Sequence, residues 1–164
     1  MKKIVFIIAL FAVGLAAQSA FGQSEKLSDK EKLIKASQFL EEKPLDKNAK
    51  DIRSWAFAWA AETKDVTVII CGVGGPFMDK KVKFGFELMS QYAIAMTAFK
   101  LQYPDRATDE NAAQLAGVES ALKVYEILLK DNPKGKNDKI DELVTKRNSG
   151  ELAKYVADID CGKK

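Results

Sequence analysis

Apolar residues recur three and four apart along most of this chain, and that period constrains the fold more than any other feature of the sequence. The series Met89, Tyr92, Met96, Phe99, Tyr103 runs 3-4-3-4, and so does Leu115, Val118, Leu122, Tyr125, Leu129. Prolines at 44, 76, 104 and 133 punctuate the chain at intervals of 32, 28 and 29 residues. Proline is tolerated at helix starts and ends but not inside, so the stretches between these four read as helical units.

Six helices are predicted. Ser28 with Glu31 forms a capping box opening a helix to about residue 42, with Leu33, Ala36 and Leu40 on one face. A second, near 46–62, carries Ile52, Trp55 and Trp59 beside Ala56 and Ala60. Paired tryptophans flanked by alanines at this spacing read as core rather than as a stacking platform for a sugar or peptide. The third spans about 84–102, with Ala93, Ala95 and Ala98 permitting close approach of a neighbour. Thr108 or Asp109 caps the fourth, whose acidic start suits the positive end of the helix dipole. A fifth covers about 138–147, and a sixth follows Ser149 as cap, with Leu152, Tyr155, Val156 and Ile159 as its apolar face. The fold class is all-α, a compact bundle of five to six helices in antiparallel pairs.

One stretch breaks the period. In residues 64–83 Val66, Val68 and Ile70 alternate and are β-branched, and Gly72, Gly74, Gly75 and Pro76 follow. This pattern predicts an extended segment, with no evident strand partner, entering an irregular glycine loop that needs positive φ angles. The glycines do not make a phosphate cradle, because Phe77 stands where a dinucleotide fingerprint needs its third glycine and no Gly-Lys-Ser/Thr follows. Phe77, Met78, Lys80 and Lys81 ride on this loop and form the candidate binding surface, since apolar and basic side chains on loops are placed to meet partners.

Ala121, Tyr125, Leu128 and Pro133 keep the spacing of the second half of a tetratricopeptide unit, which the segment faintly resembles. The first-half positions fall instead on Asp105, Thr108, Asp109 and Ala112, in a loop and cap. The resemblance implies antiparallel helix pairs and not membership of that family.

The first 22 residues belong to a different object. Lys2 and Lys3 precede an apolar run from Ile4 to Ala17, and Ala20-Phe21-Gly22 puts small residues at the cleavage positions of a secretory signal peptide. Cleavage before Gln23 leaves residues 23–164 as a single exported domain, periplasmic or secreted, with no membrane span. Whole, the chain carries 26 basic and 23 acidic residues; without the signal it is close to neutral, which gives no support to nucleic-acid binding. The two cysteines, Cys71 and Cys161, are expected to pair in an oxidising compartment and to pin the last helix against the glycine loop.

Histidine is absent from all 164 residues, which removes imidazole-based triads, His-ligated metals and imidazole pH sensing. Residues 131–142 have the length of a calcium loop, but Pro133 and Gly135 occupy ligand positions and Lys136 replaces the central glycine. No cofactor and no metal is expected. The sequence therefore favours a non-enzymatic module that binds a protein or peptide in the bacterial envelope or outside the cell. A histidine-free hydrolase using two carboxylates is the alternative, marked by a buried carboxylate pair facing a concave pocket, and a self-associating structural protein is the third class.

Overall fold

A computed structural model describes residues 27–159 and Cys161; the signal-peptide reading falls on residues outside this range. Six α-helices make up the described chain: α1 (Asp29–Glu42), α2 (Ala49–Glu62), α3 (Gly85–Gln102), α4 (Glu110–Asp131), α5 (Asp138–Asn148) and α6 (Leu152–Ile159). Among the described residues there is no strand, and no helix is long and apolar enough to cross a membrane.

The predicted start signals act as expected at two helices. Ser28 and Glu31 satisfy each other's backbone N–H at α1, and Asp109 accepts from Ala112 N–H at α4. Asn137 caps α5 by accepting from Lys139 and Ile140. At α6 the expectation fails. Ser149 closes α5 instead, and Gly150 at φ 77° turns the chain before α6 begins. A left-handed residue after a helix is a stop signal, and glycine takes it without steric cost.

Helix α3 is the axis of the molecule. Nearly every side chain from Ser90 to Ala98 is buried, the signature of a helix covered on all sides. Tyr92 and Met96 face α4 and the main core, which also holds Val118, Leu122, Tyr125 and Leu128 together with Ile140 of α5 and Val156 of α6. Ile94 faces the other way, into a smaller core formed by Leu33, Ala36 and Leu40 of α1 and Ala49 and Ala56 of α2. Lys100 meets Glu110 beside the α3–α4 connection, while Tyr92 meets Gly117 and Gln91 meets Ser120 farther along. That descending order makes α3 and α4 an antiparallel pair.

The core reading of the tryptophans holds only for Trp59, which packs against the smaller core. Trp55 is 38% exposed and Trp59 is half-buried, because α2 turns Ala49, Arg53 and Ala56 inward. Small residues on the buried face let α2 lie close to its neighbours and leave its large rings at the edge. Buried Arg53 donates to the Pro44 carbonyl and so ties α2 to the turn that precedes it.

Candidate functional site

The non-periodic stretch supplies the feature that distinguishes this bundle. After α2 ends at Glu62, residues 66–71 lie along the surface outside any helix or strand, with extended backbone at Cys71 and a β-branched run that favours the same geometry before it. The glycines behave differently from the expectation. Gly72–Met78 coil into a 3-10 helix, and none of them takes a positive φ. Glycine is required here by space: a Cβ on Gly74 would stand 2.7 Å from the Tyr92 ring.

The extended segment is fixed at both ends and in the middle. At its start the Lys30 ammonium of α1 pairs with Asp65 at 2.8 Å and holds that carboxyl below the usual range. At its end Cys71 is bonded to Cys161, as the cysteine count implied, and Gly72 lies beside Ile159 of α6. Between these points two buried polar side chains reach out of the helices. Lys100, 2% exposed, donates to the Thr67 carbonyl at 2.6 Å and to Glu110 Oε1 at 2.5 Å. Gln114 of α4 donates through Nε2 to the Ile69 carbonyl at 2.6 Å.

Tyr92 sets the orientation of that amide. The phenol, protonated at neutral pH and pushed further up by burial reinforced by the charge of Glu110, donates to Gln114 Oε1. With its oxygen taken, the amide presents nitrogen to the segment. Lys100 and Gln114 stand in otherwise apolar stripes and were not singled out by the sequence reading. The available signal was that Lys100 is the only charged residue between Glu87 and Asp105.

Two concavities flank the segment. The first, about 280 Å³, is an uncharged groove between the end of α2, the segment and α3; Phe57, Ala60, Val66, Val68, Ile70 and Met89 contribute its apolar walls. The second, about 320 Å³, is polar and brings Asp65 and Glu110 together with Lys64, Lys100 and Thr108. Each of these two carboxylates is already engaged by a lysine, Asp65 by Lys30 and Glu110 by Lys100. Among the described residues no group of three or more acidic or cysteine side chains is placed to hold a metal ion.

The predicted binding loop is not a single surface. Phe77 is fully buried, its ring 5.9 Å from that of Tyr92, and belongs to the core. Met78 is 54% exposed, and Lys80 and Lys81 are exposed, beyond the 3-10 turn. Asp79, between them, is held by Lys139 of α5, which depresses its carboxyl below the usual range. The structure thus separates the aromatic from the basic residues and puts the apolar concavity on the other side of Cys71. No family model matches the chain, and no curated protein or solved structure matches it.

Proposed function

We propose that the mature chain is an exported, non-enzymatic module that binds a protein or peptide through the uncharged groove between α2, residues 66–70 and α3. One observation carries this reading. A half-exposed run of β-branched residues outside any helix is held at the surface by two buried polar side chains that bond the alternate carbonyls of Thr67 and Ile69, next to a groove without a charged wall. Burying a lysine costs free energy unless its partners repay it. A chain that needed only a stable bundle could close α2 to α3 with a short polar turn.

The paired-carboxylate alternative loses ground on its own criterion. Acid–base hydrolysis needs one carboxyl that retains a proton and one that does not. In the polar cavity Lys30 keeps Asp65 ionised, and Lys100 takes one oxygen of Glu110.

The test is capture from the native compartment by tagged mature protein. Ala61 is exposed on the groove wall, so Ala61→Arg is expected to fold normally and to abolish retention of the partner. Glutamate at Lys80 and Lys81 is expected to leave retention intact. Equal retention by Ala61→Arg, or loss on changing the two lysines alone, overturns the assignment to the groove. Export itself is checked by intact mass, which should begin at Gln23.

A further inference from the structure

We infer that the partner binds as an extended peptide segment that adds a strand to residues 66–70, with uncharged aliphatic side chains at alternate positions entering the groove. The inference rests on the peptide-binding reading and specifies its mode. In an extended chain the N–H and C=O of one residue point to one edge and those of its neighbours to the other. Thr67 and Ile69 turn their carbonyls toward Lys100 and Gln114, so that edge faces the α3–α4 pair. Val66, Val68 and Ile70 therefore offer their backbone groups to the opposite edge. None of these N–H or C=O groups bonds to another described residue. The same three side chains line the apolar groove. Open backbone groups next to alternate apolar side-chain positions are the two elements of strand addition, main-chain bonds for affinity and pockets for specificity.

The edge is too small to join two copies of this chain. Five extended residues span about 17 Å, so one strand contact covers on the order of 200 Å² per partner, well below the roughly 800 Å² of a stable interface. A peptide needs no such area, because its whole length lies on the edge. Charge complementarity selects the side chains: the groove wall carries no ionisable group, so a charged residue at an inward position would lose water without gaining a counter-ion.

The test uses disulfide-intact, isotope-labelled mature protein and a blocked heptapeptide, Lys-Val-Thr-Val-Thr-Val-Lys, with amide hydrogen exchange read residue by residue. Saturating peptide is expected to slow exchange at Val66, Val68 and Ile70 by at least about tenfold and to leave Thr67 and Ile69 unchanged. N-methylation of the peptide amides on its pairing edge is expected to remove this protection, whereas methylation on the other edge is not. Resonance shifts at Phe57 and Met89 without the alternating pattern overturn strand addition while leaving the groove as a peptide site. If neither this peptide nor an apolar helical one shifts those residues up to millimolar concentration, both readings fall. Alternating protection that grows with protein concentration alone makes the occupant a second copy and overturns the inference.

Discussion

At Gly117 α4 packs tightly against α3, and replacing it with alanine tests the packing directly. Alanine is the better helix former by about 1 kcal/mol, so on an exposed face the change would stabilise the protein. Here the new methyl carbon would lie 2.6 Å from Met96 Cγ, 2.7 Å from Tyr92 Cδ2 and 2.8 Å from the Tyr92 carbonyl oxygen. Met96 can change rotamer, but the carbonyl can move only with the helix. Tyr92 is fully buried with its hydroxyl committed to Gln114, so its ring has no free path either. The two helices must then part by about half an ångström, and a gap of that size forfeits a quarter or more of each contact's dispersion energy. Overpacking of this kind costs roughly 1 to 3 kcal/mol, and a backbone contact places Gly117→Ala at the upper end. After subtracting the propensity gain, the expected loss is about 2 kcal/mol, read from urea unfolding as a lower midpoint with unchanged slope. Adding Met96→Ala should not restore stability, because the carbonyl contact remains. A neutral or stabilised Gly117→Ala, or full rescue by the second change, would show that side-chain crowding and not helix separation sets the spacing.

Three further outcomes follow from named contacts. Burial, opposed by the Asn137 N–H and reinforced by Asp141, pushes the Tyr125 hydroxyl up to about 12 from 10.0. The folded protein keeps that proton where the unfolded chain releases it, so this contribution is full below pH 10 and falls as pH rises toward about 12. Tyr125→Phe should flatten that alkaline limb in pH-dependent unfolding and cost about 1 to 2 kcal/mol at neutral pH, since Asn137 N–H loses its acceptor; an unaltered limb refutes the assignment. Reducing or removing Cys71–Cys161, a closure of 90 residues, should cost on the order of 4 kcal/mol in the chain-entropy model and speed amide exchange first in α6. Uniform loss across the molecule would contradict the anchoring of α6. Lys100→Met leaves Glu110 without its ammonium and should cost about 3 kcal/mol, largely restored by adding Glu110→Gln; equal instability of the double variant would mean that the bond to Thr67, and not the charge pair, is what matters.

The bundle was legible in the sequence because each helix carries its own period and stop. Leu33, Ala36 and Leu40 are buried as their spacing requires, as are Val118, Leu122 and Tyr125. The same reasoning misplaced Trp55 and Phe77, for related reasons. Size and hydrophobicity argued that Trp55 was inside, but small residues on the opposite face of α2 allowed closer packing there. A glycine-rich neighbourhood argued that Phe77 was outside, whereas the glycines tighten the chain into a 3-10 helix that delivers the ring to Tyr92. Periodicity measures one helix at a time, and both outcomes depend on which neighbour arrives.

The same limit explains why the groove was out of reach while its wall was in plain view. The alternation of Val66, Val68 and Ile70 announced an extended segment with no strand to pair with. What satisfies its two core-facing carbonyls, those of Thr67 and Ile69, is a lysine from α3 and a glutamine from α4, at sequence distances of 33 and 45 residues. In a sheet a neighbouring strand on each side would satisfy both edges; side chains from a helical core can reach only the edge that faces the core. An all-α fold that holds a strand-forming segment in this way leaves the outer edge open by construction. The groove and its outer edge therefore arise from a conflict between local propensity and global fold.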